Sequence, residues 1–366
     1  MDANLEFRKE ILSPPGDTIQ ETIDELGMSQ AELAQRMGRS KEKLNELIKG
    51  KEPLTRKTAV LLDRVLGIPV SFWMNRENDY REELLKIEQL EFLERCITWV
   101  REFPLKELKA LGFLPDTKDK HKLADALLRF FRVATPEEWE AIYVKDTVSA
   151  AFKVSLKNTR SPHAISAWLR AGEVKAQEMD LPVYDKSLFK TVLKDLKEVV
   201  KEHPQDYRIL LQEACAKAGV AVLFTPALPK APISGATWWR GNTPIIQLTG
   251  RFRANDRLWF DFYHEAGHVL LHGKKDIFLE DLKGTETDKK KEHEANRFAQ
   301  KQLFPEEALQ ELMQQALSKE LILKYAQRYK THPGVVVGQL QHAECLEFSE
   351  MNELKEPVNL YGEEHE

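Results

Sequence analysis

Residues 256–273 read DRLWFDFYHEAGHVLLHG, an apolar stretch of helical character that holds the pattern H-E-x-x-H. No other feature limits the chain's choices as tightly. Polar side chains inside a buried helix need partners. Here they are His264, Glu265 and His268. Histidines at i and i+4 share a helix face about one turn apart, so both imidazoles reach one tetrahedral zinc ion at roughly 2.0–2.1 Å. Glu265 lies beside them and can take a proton from water and pass it to a leaving amine. The pattern predicts a zinc site with Glu265 as catalytic base and then acid.

A zinc site of this kind needs a third protein ligand and leaves its fourth position to water. The next helix, KKEHEANRFAQKQLFP, offers Glu292 and Glu294. Its apolar stripe is Ala295, Phe298, Ala299 and Leu303. With Ala295 at the origin, Glu292 falls at about 60°, inside the stripe, and Glu294 at about 260°, just outside it. That favours Glu292, with Glu294 as the alternative ligand, a solvated partner of Arg297, or an acceptor behind the ligands. The spacing from Glu292 to Asn296 resembles the E-x-x-x-D of glutamate-ligated zinc peptidases, whose last residue supports the metal site from behind its ligands. His272 and His293 lack ligand spacing and read as supporting or surface groups. Tyr263 and His332 are candidates to stabilise an oxyanion.

The other informative stretch is N-terminal. Residues 1–35 carry two basic and eight acidic side chains, whereas residues 36–57 carry eight basic and three acidic ones. The second stretch is a local +5 in a chain of net charge −5. Its helices are well punctuated. Pro14-Pro15-Gly16 opens one, Ser29 with Glu32 makes a capping box for the second, and Ser40 caps a third that ends at Gly50. A fourth spans Thr55 to Leu66. Two short helices joined by a Gly-containing turn form a helix-turn-helix unit. Ala34 sits where the pair must come close.

The stretch from Ser29 through LGIPVSFWMNRENDYRE resembles the Cro/repressor-type helix-turn-helix, and in particular the HigA-type antitoxin, with the leading ILSPPGDTIQETIDELGMS in the same pattern. The resemblance covers residues 11–82 or so. It makes the third helix the recognition helix. Lys41, Glu42 and Asn45 on its exposed face should then reach base edges in the major groove. Gln30, Arg39, Lys43 and Lys49 are placed to hold phosphates. The resemblance implies a double-stranded DNA operator, a homodimer on half-sites about one helical turn apart, and a toxin or other protein partner. The segments ISGATWWRGNTPIIQLTGRF, WFDFYHEAGHVLLH, EHEANRFAQKQLFP and YKTHPGVVVGQLQH together resemble the ImmA/IrrE metallopeptidases over roughly residues 210–345. That family implies a zinc site built from H-E-x-x-H and a downstream Glu, and several of its members cleave or control a repressor.

Between these regions the chain is helical and names no chemistry. His121, His163 and His203 are single histidines that read as surface or packing residues. The expected architecture is mainly α with some β. It comprises a five-helix DNA-binding domain over residues 1–82, a helical connecting region over 83–205, and a zincin-like domain with a small antiparallel sheet over 206–366. No apolar run approaches the 18 residues or so of a membrane span. The charged N-terminus lacks a signal-peptide core. Cys96, Cys215 and Cys345 are too few and scattered for a disulfide framework. The expected location is the cytoplasm. Three functions remain open: a repressor or antitoxin whose zincin domain is regulatory, a working protease that cuts itself or a partner, and a regulator whose C-terminal half senses a small ligand.

Overall fold

The computed structural model describes residues 3–145, 161–249, 254–273, 278–279 and 289–358. The last three residues of the segment ISGATWWRGNTPIIQLTGRF, 250–252, lie outside them. The chain divides into two compact units, residues 1–97 with 119–125, and residues 98–118 with 126–366.

The first unit begins with α1 (Ala3–Glu10), α2 (Pro15–Glu25), α3 (Gln30–Met37), α4 (Lys41–Ile48) and α5 (Arg56–Leu66). The punctuation acts as the sequence suggests. The Ser29 hydroxyl accepts from the Glu32 N–H, Ser40 from Lys43, and Thr55 from Thr58. Gly38, at φ 67°, ends α3 in the left-handed conformation and turns the chain into α4. Ile19, Ile23, Leu33, Ala34, Met37, Leu44, Leu47 and Leu62 share one core. Trp73, near the start of α6 (Val70–Val100), fills the same core, so five helices (α2–α6) build this domain. Gly16 explains the fit of α2 on α4: a Cβ there would stand 1.8 Å from the carbonyl oxygen of Ile48. Helix α6 runs through residue 82 without a break.

In the second unit, α7 (Leu105–Ala110), the end of α8 (Lys120–Phe131) and α9 (Pro136–Tyr143) precede α10 (Pro162–Gln177), α11 (Lys186–Glu202) and α12 (Tyr207–Lys217). Three strands follow, β1 (Ala221–Phe224), β2 (Gly235–Arg240) and β3 (Thr243–Leu248), then α13 (Asn255–Leu271) and the two-residue β4 (Phe278–Leu279). Helices α14 (Lys289–Leu303), α15 (Glu306–Met313), α16 (Lys319–Tyr329) and α17 (Pro333–His342) complete the unit. Strands β2 and β3 form the hairpin expected around Gly241-Asn242, with Arg240 opposite Thr243. The sheet is not wholly antiparallel, however. Its order is β1-β3-β2-β4, and β1 joins β3 in parallel, Ala221 opposite Ile245. Apolar content marks a strand but not its direction, which depends on how the connections run.

Helices α10 and α11 are part of this unit rather than a separate connector. Gln247 of β3 donates to the Trp168 carbonyl and Trp168 donates to the Thr225 carbonyl, at 2.8 and 3.3 Å. Phe189, Leu193 and Leu196 of α11 share the main core with Trp259, Phe262 and Tyr263 of α13. Residues 261–270 of α13 are all buried, which makes this helix the centre of the unit. Its C-terminal carbonyl at Leu270 accepts from the Lys186 ammonium at 2.7 Å, a favourable end for a cation.

Candidate metal centre and nucleic-acid interface

Helix α4 shows its polar face to solvent. Lys41, Glu42, Lys43 and Lys49 are exposed and Asn45 is partly so, while Leu44 and Leu47 face the core. Three expected DNA contacts have partners inside the domain. Arg39 is turned inward: its guanidinium donates to the Thr58 hydroxyl at 2.6 Å and lies 3.7 Å from Glu52, with only 20% of the side chain exposed. It clamps the turn to α5 instead of standing out toward a phosphate. Gln30 donates to Gln20 of α2 at 2.5 Å. The Glu42 carboxyl is held below its ordinary range by its own backbone N–H and by the Ser40 hydroxyl, so it works as part of the cap of α4. Lys41, Lys43, Asn45 and Lys49 are left as the outward-facing set.

The metal-type donors converge. His264 and His268, 2% and 0% exposed, bring their Nε2 atoms to 3.0 Å. Glu292 Oε2 on α14 lies 3.3 Å from His264 Nε2 and 3.7 Å from His268 Nε2. Donors on a regular tetrahedron around zinc stand roughly 3.3–3.4 Å apart, given bonds of about 2.0–2.1 Å. The three measured edges bracket that spacing. A second observation points the same way: Glu292 Oε1 is buried with no hydrogen-bond partner among the described residues. Burial pushes His268 down to about 4, so it is neutral at physiological pH. Burial alone would raise Glu292, but the facing His264 and His268 rings outweigh it and hold the carboxyl at about 2. Two imidazoles and one carboxylate, facing one another inside the protein, fit a divalent cation.

The surroundings orient these donors. Asn296 Oδ1 lies 2.9 Å from His264 Nδ1. An amide oxygen can only accept, so that contact places the proton on Nδ1 and leaves Nε2 as a donor to metal. Glu265 is fully buried and lies against β2. The Thr237 hydroxyl donates to the Glu265 carbonyl at 3.1 Å. A Cβ at Gly235 would come within 2.7 Å of Glu265 Oε1, so a side chain there would have to displace the carboxylate. Gly267 does the same for α14: its Cβ would meet the Ala295 Cα at 3.3 Å.

Glu294 is placed elsewhere. Its Oε2 lies 3.1 Å from His272 Nε2, and His272 Nδ1 lies 2.9 Å from His268 Nδ1. His272, read from the sequence as a supporting or surface group, thus stands beside a candidate ligand, at i+4 from His268. The oxyanion candidates also have other tasks. Tyr263 donates to the Leu193 carbonyl at 2.8 Å, and His332 caps α17 while contacting Asn255 and Glu356. Of the single histidines, His163 stacks on Trp139 at 4.4 Å, His203 accepts from the Trp259 indole at 3.1 Å, and His121 lies 2.8 Å from Glu94.

Comparison with known proteins matches both regions. Residues 19–73 match the helix-turn-helix family, and residues 215–341 match the IrrE N-terminal-like domain of the M78 peptidases. Among curated proteins, the chain is similar to the HTH-type transcriptional regulator YddM of Escherichia coli (strain K12), with 35% identity over 85 residues. Those residues are 23% of this chain and 90% of that protein.

Proposed function

We propose, from the premise that the chain belongs to the HTH-type transcriptional regulators and carries an IrrE N-terminal-like peptidase domain, that it is a sequence-specific DNA-binding regulator of the HigA antitoxin type. It binds its operator as a homodimer and answers to a toxin or another protein partner. The observation that carries this reading is α4. It has a capped start, a buried apolar face, and Lys41, Lys43, Asn45 and Lys49 turned outward in a basic stretch of an acidic chain. Lysine and asparagine at the start of a recognition helix can read guanine and adenine, and Lys43 and Lys49 can anchor phosphates. Exchanging Lys41 and Asn45 together for alanine should abolish preference for the operator over random duplex while the fold persists. A gel-shift titration with unchanged operator preference would remove α4 from this role.

A second reading is supported by the donor triangle: the C-terminal unit is a zinc endopeptidase acting on the chain itself or on a partner. His264, His268 and Glu292 would hold the zinc, which supplies Lewis acidity to a peptide carbonyl and to water. Glu265 accepts a proton from the attacking water and delivers it to the departing amine, so one water is consumed per amide bond cut. Its burial beside the β2 backbone fixes the carboxylate and limits its solvation. Glu265→Gln should keep the metal and lower peptide hydrolysis by at least about 100-fold. Hydrolysis at the wild-type rate in that variant would show that Glu265 is not the base.

A further inference from the structure

The metal-site reading accounts for His264, His268 and Glu292 but assigns nothing to His272 or Glu294. His272 is one turn beyond His268, and its side chain is only 3% exposed. It stands between a ligand of the centre and a carboxylate on the neighbouring helix. We propose that Glu294 and His272 form a positioning relay that holds His268 as its Nδ1–H tautomer, so that the Nε2 lone pair faces the divalent cation. This inference rests on the metal-site reading above.

The hydrogen-bond logic runs in one direction. An ionised carboxylate only accepts, so the 3.1 Å contact between Glu294 Oε2 and His272 Nε2 requires a proton on that nitrogen. A neutral His272 then has a bare Nδ1. That atom lies 2.9 Å from His268 Nδ1, which must donate. His268 Nε2 is left bare, and it is the atom 3.0 Å from His264 Nε2 and 3.7 Å from Glu292. The alternative, a doubly protonated His272, would make His268 Nδ1 an acceptor and put a proton on Nε2, where the metal belongs. Asn296 performs the matching task for His264 directly. Each of the two ligands is thus tied to α14, His264 by Asn296 and His268 by Glu294 through His272. Partners of this kind contribute to metal affinity by fixing ring orientation and raising ligand basicity.

Two measurements on the full-length chain test the relay. Nitrogen-15 NMR of the metal-free protein should show His268 protonated on Nδ1. Competition with a chromophoric chelator should show zinc held about 10–100-fold more weakly in Glu294→Ala and in His272→Phe. Glu294→Gln should fall between wild type and Glu294→Ala, because its amide oxygen still accepts. His293→Gln, an exposed neighbour on α14, should match wild type. Glu294 is 45% exposed, so its variants keep the test open if His272→Phe does not fold. Wild-type zinc affinity in Glu294→Ala, or a wild-type His268 protonated on Nε2, overturns the proposal. If the wild-type chain binds no zinc, the metal-site reading fails instead. The relay is then read from NMR alone, supported by loss of the Nδ1–H form in Glu294→Ala and overturned by its persistence.

Discussion

Asn296 shows how a single side chain can decide the chemistry of its neighbour. Its oxygen fixes the proton of His264 on Nδ1 and turns the other nitrogen toward Glu292. Helical periodicity puts Glu292 inside the apolar stripe of α14, and the structure brings its carboxylate to His264 and His268. The same arithmetic could not show where Glu294 goes, since that depends on a ring contributed by another helix. Arg39 meets a related limit: the sequence places a cation beside the helix-turn-helix but cannot show that Thr58 and Glu52 lie against it. His203 yields a prediction at this scale. Burial holds it below its ordinary value, against the pull of Glu356 and with a small push from His332. Its Nδ1 accepts from the Trp259 indole, so protonation there would oppose one donor to another. The unfolded chain therefore binds the proton more readily. The stability gained is present above about pH 6.5 and is lost as the pH falls through the lowered value. His203 has φ 42°, which asparagine tolerates. His203→Asn should flatten the fall in denaturant midpoint of the metal-free protein between about pH 6.5 and pH 5. An equal slope in wild type and variant would remove His203 from the account.

Among the elements, α13 and α14 carry the centre together, and their separation sets its geometry. Gly267 permits that separation, because a Cβ there would stand 3.2 Å from Phe298 and 3.3 Å from the Ala295 backbone. Gly267→Val should push α14 outward and cost about 1–3 kcal/mol in stability of this unit. Glu292, Glu294 and Asn296 would move away from the histidines in one step, so zinc affinity should fall with stability. A variant as stable as wild type that still binds zinc tightly would show that the helices have room to spare. Helix starts were the most legible elements. Ser29, Ser40 and Thr55 each cap the helix that follows, because a short side-chain oxygen before an apolar-periodic run has little else to bond. Strand direction was not legible. The residues of β1 are apolar whichever way it runs, and only its pairing of Ala221 with Ile245 shows it to be parallel.

At the scale of the whole molecule, two candidate sites of different chemistry fall in two compact units. The boundaries were the weakest part of the sequence reading. No Pro- or Gly-rich linker marks a division, α6 passes through residue 82, and α10 and α11 complete the core of the C-terminal unit. Among the described residues no helix is long and apolar enough to cross a membrane. The net charge of −5 hides the basic stretch over residues 36–57, so the average says little about DNA and the local pattern says much. The central claim is that a transcriptional regulator also holds a metal centre of peptidase type. The most direct test is the metal content of the full-length chain purified without chelator, compared with Glu292→Gln and Glu294→Gln after loading with excess zinc. The account predicts about one zinc per wild-type chain, none in Glu292→Gln, and loading retained in Glu294→Gln. A wild-type chain without zinc, or a Glu292→Gln chain that keeps it while Glu294→Gln loses it, would contradict the account.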